Sequence, residues 1–137
     1  MKIHYMMSLS VLAGLLTSVT CFAQSDLNTI SKIQAGIAII YEETVLLRDQ
    51  QKYGTKCGSF LDEGSENLKY AQRMSQSLML DGQLNAWDYK NTILALYQAK
   101  YAMFEAQTVA ADCVNKELIQ SPFNKLNLIL HLVTDLY

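Results

Sequence analysis

Apolar residues recur at steps of three and four along four stretches of the chain, which is the spacing of one face of an α-helix. The first stretch is Asp26–Tyr53, and Gly54 and Gly58 bracket the break after it, which holds Cys57. Its predicted buried face consists of Leu27, Ile30, Ile33, Ile37, Ile40, Thr44 and Leu47.

The second predicted helix is shorter. It follows a turn at Asp62–Gly64, starts from an N-cap at Ser65 and runs to about Leu80. Asp81–Gly82 is expected to end it, because glycine tolerates the left-handed conformation of a helix C-cap.

The third predicted helix is long, roughly Ala86–Glu117, with Asn85 as its N-cap. Its main stripe consists of Tyr89, Ile93, Leu96, Ala99, Met103, Ala106, Ala110 and Cys113. A flanking aromatic row widens this apolar surface: Tyr97, Tyr101 and Phe104.

Ser121–Pro122 predicts the start of the last helix, because serine caps helices and proline is tolerated at the first helical position. Apolar residues then continue at helical spacing to Tyr137, and no strand-like alternation of useful length occurs anywhere. The fold class predicted is all-α, a four-helix bundle.

Residues 1–23 have the pattern of a secretory signal peptide. Lys2 supplies the positive start, and the apolar run Leu9–Val19 is too short for a membrane span. A small residue, Ala23, marks the expected cleavage site. A second reading makes Cys21 the acylated first residue of a lipoprotein, although Ser18–Thr20 fit that motif poorly.

Cleavage would leave one helical domain, Gln24–Tyr137, with Cys57 and Cys113 as an even pair. In an oxidising compartment such as the periplasm the default for such a pair is a structural disulfide. The turn after the first helix and the end of the third lie at the same pole of an up-down bundle, so the two positions suit a bond. The chain-entropy estimate for a loop of this length is about 4 kcal/mol of stabilisation.

Charge and composition exclude several functions. Eleven basic against thirteen acidic residues give a net charge of −2, which argues against nucleic-acid binding. The chain lacks the Cys-x-x-Cys-His motif of covalent haem and the Glu-x-x-His motif of di-iron bundles. Two distant cysteines and one histidine in the mature chain do not make a zinc site. No cofactor or metal is therefore expected.

Candidate catalytic groups are equally sparse. His131 with Asp135 is interpreted as a solvated pair, and a Cys–His nucleophile would need a free thiol. Glu42 and Glu43 are adjacent on a helix and therefore diverge rather than face each other. We expect the protein not to be an enzyme.

The helix lengths instead point to a binding surface. The first and third predicted helices would be about 42 and 48 Å long, against about 24 Å for the other two. Short helices cannot cover the apolar stripes of long ones, so part of the surface should form a groove that suits an amphipathic partner helix. The candidates to line it are Tyr97, Tyr101, Phe104, Ile39 and Leu46. Loops, a helix break or a homodimer are the alternative ways of covering it.

From Lys52 onward the chain resembles the small helical pilotins of bacterial type II secretion. The shared features are KYGTKC at Lys52–Cys57, the pair Leu96–Tyr97, and DCVNKEL at Asp112–Leu118. The resemblance implies a protein that binds a terminal helix of the secretin subunit in a groove and escorts it to the outer membrane. Such pilotins are usually lipoproteins.

The sequence thus predicts a periplasmic, disulfide-stapled helical protein that works by binding another protein. A pilotin-like adaptor is the leading hypothesis. An immunity or inhibitor protein that neutralises a secreted effector, and an acid-stress chaperone, remain open alternatives of similar size and helicity.

Overall fold

The computed structural model describes residues 24–136, so the predicted leader, including Cys21, and Tyr137 lie outside the described residues. The main elements are four α-helices and a short antiparallel hairpin of β1 (Met79–Leu80) and β2 (Gln83–Leu84). The helices are α1 (Gln24–Asp49), α2 (Lys56–Ser75), α3 (Ala86–Thr108) and α4 (Gln120–Thr134). The predicted all-α class and helical bundle are confirmed.

The four helices surround one apolar core. α2 packs on α1 and α3, and α4 packs on the same two helices from the other side. Isoleucines of α1, leucines of α2 and α4, and alanines of α3 fill the space between them. The largest fully buried side chains are Ile33, Ile37, Ile40, Thr44, Leu61, Leu68, Leu78, Leu96, Met103, Ile119, Leu126 and Val133.

α2 begins ten residues earlier than the predicted Ser65 cap, and the predicted turn at Asp62–Gly64 is wrong. Thr55 is the N-cap, and its hydroxyl accepts a hydrogen bond from the Gly58 N–H at 3.1 Å. Gly64 and Ser65 are buried in the middle of α2. The chain does not turn at Gly64, which lies inside the helix against the small residues of α3.

The segment between α2 and α3 differs from the prediction in its local structure. α2 ends at Ser75, and Asp81–Gly82 forms the tip of the β1–β2 hairpin instead of a helix C-cap. Asp81 and Gly82 have φ angles of 53° and 77°, the positive values that a tight two-residue hairpin turn requires. The strands were missed because each has only two residues.

α3 begins where predicted and ends earlier. Asn85 caps it, with its side-chain oxygen accepting from the Trp87 and Asp88 N–H groups at 3.2 and 3.3 Å. The helix stops at Thr108 instead of Glu117, so Cys113 lies in a loop. The chain then forms one 3-10 turn, Lys116–Ile119, that leads directly into α4 without a Ser121 cap.

One end of the bundle, which we call the disulfide pole, is tied together by the loop after α3. Cys57 and Cys113 form a disulfide with their Cα atoms 5.1 Å apart, as predicted. The neighbouring Asp112 carboxylate accepts hydrogen bonds from the Lys56 and Cys57 N–H groups at 2.9 and 3.0 Å. It therefore caps the N-terminus of α2, and these two bonds lower the pKa of Asp112.

A glutamine fastens the same loop to the end of α1. The Gln51 amide donates to the Val114 carbonyl at 3.0 Å, and its oxygen accepts from the Val114 N–H at 2.8 Å. Together with the disulfide, these bonds fix the start of the path from α3 to α4. A disulfide of this kind is typical of proteins in oxidising compartments.

None of the helices within residues 24–136 combines the length and hydropathy needed to cross a bilayer.

Candidate functional site

α3 carries two apolar faces on nearly opposite sides. The inner face packs in the core and consists of Ala95, Leu96, Ala99, Ala102, Met103 and Ala106. The outer face is exposed, with exposed fractions of 70% for Trp87, 51% for Leu94, 45% for Tyr97, 69% for Tyr101 and 47% for Phe104. We call these five residues the outer stripe.

The outer stripe has the spacing of a helix–helix seam. Trp87, Leu94 and Tyr101 follow one another at intervals of seven residues. Tyr97 comes three residues after Leu94, and Phe104 comes three residues after Tyr101. Apolar residues at these a and d positions of a heptad normally pack against a second helix. The stripe extends about 25 Å along α3, and no helix of the described chain covers it.

The C-terminal part of the stripe forms the wall of a groove between α3 and α4. Tyr97, Lys100, Tyr101 and Phe104 line it from α3, and Phe123 lines it from α4, around a cavity of about 410 Å³. We call this the aromatic groove. Phe123 is held in place at the start of α4, where the Gln107 amide donates to the Gln120 side-chain oxygen at 2.6 Å and so ties the two helices together.

A second, more polar cavity of about 400 Å³ shares the side chains of Tyr97 and Lys100 with the aromatic groove. We call it the polar end of the groove. The Lys100 Nζ lies 5.9 Å from the centre of the Tyr97 ring, a cation–π distance. The remaining lining residues come from α4: Asn127, Leu130, His131 and Thr134.

The three residues predicted to bind a partner, Tyr97, Tyr101 and Phe104, therefore lie together on one groove. The other two groove candidates, Ile39 and Leu46, are exposed on α1 and do not line either cavity. Uncovered apolar surface thus exists, and its partner-binding role stays a prediction.

Sequence reasoning missed four contributors. The heptad spacing would have identified Trp87 and Leu94 as members of the outer stripe. Phe123 and Lys100 carry no such signal, because their place in the groove depends on how α4 packs on α3.

A larger cavity, about 710 Å³, lies at the disulfide pole and is lined mainly by polar and charged residues. Three of its four charged side chains already pair with one another: the Arg48 guanidinium lies 3.1 Å from Asp49 and 3.2 Å from Asp62, and Lys52 is the fourth. Paired surface charges leave little attraction for a ligand. The aromatic groove, whose walls are exposed apolar side chains, is the stronger candidate.

The residues considered for chemistry lie apart in the bundle. Glu43 forms an ion pair with Lys125, whereas Glu42 is exposed. Cys57 and Cys113 are joined in the disulfide, so among residues 24–136 there is no free thiol for His131 to activate. Within residues 24–136 no group of three or more potential metal ligands occurs.

Comparisons with known proteins give no indication of function, so the groove is the main guide to it. Compared with protein families, curated proteins and solved structures, the chain shows no match in any of the three.

Proposed function

We propose that this protein is a non-enzymatic binding module whose outer stripe docks an amphipathic helix of another protein. The observation that carries the proposal is the outer stripe itself, an exposed a/d row on a helix whose opposite face is already buried in the core. A helix with a matching apolar face would complete the seam and lay its side chains in the aromatic groove.

The composition of the groove favours protein binding over solvation. Three exposed aromatic side chains, Tyr97, Tyr101 and Phe104, form one wall and a fourth, Phe123, faces them from α4. Aromatic residues concentrate the binding energy of protein interfaces, and truncating such a residue typically costs 2 kcal/mol or more. An exposed aromatic cluster on a small helical protein is therefore most simply an interface.

Within this proposal the leading role is that of a pilotin-like periplasmic adaptor, secreted by the leader in residues 1–23. Support comes from the resemblance between Lys52 and Leu118 and from the disulfide, which suits an oxidising compartment. Protein recovered from the periplasm should begin at Gln24. An acylated Cys21 at the N-terminus would contradict cleavage after Ala23 and indicate a lipoprotein.

An immunity or inhibitor protein would use the same surface on a different partner, a secreted effector. The two roles predict different partners: the helix of a secretion-pore subunit for an adaptor, and the surface of a toxic enzyme for an inhibitor. An acid-stress chaperone would instead capture many unfolded proteins, and only at low pH.

Affinity capture from the periplasm of the source cells tests the proposal. Tyr101→Ala should weaken capture of the natural partner at least tenfold, which corresponds to about 1.4 kcal/mol. The control is Tyr70→Ala, which removes an exposed tyrosine of α2 that lies outside the groove. Equal capture by wild type and both variants would show that the outer stripe does not bind the partner.

A further inference from the structure

Lys100 lies at the junction of the aromatic groove and its polar end, and it forms no ion pair with any residue that the structure describes. No acidic side chain within the described residues lines either cavity. The side chains three and four positions away on α3 are all apolar or aromatic: Leu96, Tyr97, Met103 and Phe104. The contact made by the ammonium is with the face of the Tyr97 ring.

The polar end offers further hydrogen-bond donors beside this cation. The side chains of Asn127 and His131 both line it, and neither makes a hydrogen bond to another described residue. The Thr134 hydroxyl is already engaged with the carbonyls of Leu130 and His131 at 3.0 and 3.1 Å. The Lys100 ammonium, the Asn127 amide NH2 and a ring N–H of His131 are thus donors that a carboxylate could accept from.

This local charge is opposite to that of the molecule. The chain has a net charge of −2, which becomes −3 once Lys2, the only charged residue of the leader at neutral pH, is removed. A half-buried cation with unengaged donors beside it, on an acidic protein, favours an anionic group on whatever occupies the groove.

We infer that the polar end is a carboxylate subsite that selects the partner helix. This inference rests on the proposed function and names the chemistry of the occupant: an amphipathic helix with an apolar a/d row and an Asp or Glu beside it. The apolar row packs on Tyr101, Phe104 and Phe123, while the carboxylate pairs with the Lys100 ammonium and accepts from the Asn127 amide.

A second copy of this chain fits the subsite poorly. The solvent-facing side of α3 carries two lysines, Lys90 and Lys100, and a single acidic residue, Glu105. Two such faces would bring more cations than carboxylates into one interface, and unmatched like charges across an interface oppose association.

Two synthetic helical peptides test the subsite. Both carry leucine at every a and d position, and they differ only in whether the flanking positions are glutamate or its neutral isostere glutamine. Fluorescence anisotropy should show that wild type binds the glutamate peptide roughly tenfold more tightly, a difference of about 1.4 kcal/mol. The preference should shrink as salt is raised, because an ion pair at the surface is screened.

Variants assign the preference to one side chain. Lys100→Gln should bind both peptides equally, Lys100→Arg should keep the preference, and Lys69→Gln, which removes an exposed lysine of α2, should behave as wild type. A glutamate preference that survives in Lys100→Gln would overturn the inference.

The remaining outcomes distinguish a failure of the carboxylate subsite from a failure of the proposed helix-binding function. Equal binding of both peptides by wild type would overturn the carboxylate subsite and leave the proposed helix-binding function standing. Failure of both peptides to bind at millimolar concentration would count against that function itself. Elution of wild type as a dimer that Tyr101→Ala converts to a monomer would assign the groove to a second copy.

Discussion

Tyr101 and Leu96 lie five residues apart on α3 and point in different directions. Tyr101 is 69% exposed on the outer stripe, whereas Leu96 is completely buried on the inner face. The stability of the bundle should therefore depend strongly on Leu96 and weakly on Tyr101.

Tyr101→Ala should change the free energy of unfolding by no more than about 0.5 kcal/mol, because little of the side chain is buried in the free protein and alanine suits a helix. Leu96→Ala should cost about 2–5 kcal/mol, since it opens a cavity in the core. Chemical denaturation of the two variants measures both values. A loss of several kcal/mol with Tyr101→Ala would mean that the tyrosine is part of the core and that the groove is closed in solution.

Asp112 adds a second side chain to the cap that Thr55 provides at the start of α2. Its carboxylate binds the Lys56 and Cys57 N–H groups, and these bonds lower the pKa of Asp112 below its usual range. A carboxyl group whose pKa is lower in the folded state contributes stability above its unfolded pKa of about 3.9. That contribution is lost as the pH falls through the folded pKa.

Asp112→Asn should therefore lower the melting temperature at neutral pH, because the neutral amide accepts fewer hydrogen bonds and interacts more weakly with the helix dipole. The gap between variant and wild type should narrow as the pH falls below about 4 and the wild-type carboxyl group becomes protonated. Thermal melts across this pH range measure the gap. A gap that is the same at every pH would show that the charge of Asp112 does not contribute.

At the scale of elements, two helical glycines differ in whether a larger side chain would fit in their place. A Cβ at Gly64 would meet Ala102 Cβ at 3.7 Å and Met103 Cγ at 3.8 Å, both ordinary contact distances. A Cβ at Gly36 would overlap the Ile129 side chain of α4.

Gly64→Ala should raise the free energy of unfolding by about 0.5–1 kcal/mol, the usual gain of alanine over glycine inside a helix. Gly36→Ala should lower it by about 1–3 kcal/mol, because Ile129 must be displaced. Urea denaturation of both variants tests the pair. Destabilisation by Gly64→Ala would support the turn that the sequence suggested at Asp62–Gly64 and contradict a continuous α2.

The hydrophobic period predicted the existence and order of the helices well and their ends poorly. Asn85 was identified as a cap because an asparagine next to the first apolar position has a local physical signature. The start of α2 was not identified from the sequence, because its cap comes partly from Asp112, which is distant in sequence. The turn at Gly64 was wrongly predicted because glycine is common in turns but also occurs inside helices, and the sequence around Gly64 does not distinguish the two cases.

The candidate site was predictable to a similar degree. The row Tyr97, Tyr101 and Phe104 was visible from its position beside the core stripe, and the structure places it on one groove. Its opposite wall and the uncompensated Lys100 were not predictable, since both depend on the packing of α4 against α3.

At the scale of the whole molecule, the disulfide joins segments that are 56 residues apart in the chain. It fastens the start of α2 to the loop that leads into α4, and α4 supplies the second wall of the groove. Closing a loop of this length restricts the unfolded chain and stabilises the fold by about 4 kcal/mol in the chain-entropy model.

Replacing both cysteines, as Cys57→Ser with Cys113→Ser, should lower the melting temperature by about 10 °C or more. Wild type treated with a reductant should show a similar loss, and the double variant should not respond to the reductant. Non-reducing mass spectrometry checks the bond itself. Two free thiols in protein purified from its native compartment would contradict the disulfide.

The central claim is that the outer stripe of α3 receives a helix from another protein. Photo-crosslinking in living cells tests it most directly, with benzoylphenylalanine placed at Tyr101 in one variant and at Tyr70 in another. We expect a covalent adduct from position 101 and none from position 70. The crosslinked peptide of the partner should lie in an amphipathic helical segment with an Asp or Glu beside its apolar row. Adducts of equal yield from both positions, or adducts from position 101 only to a second copy of this chain, would contradict it.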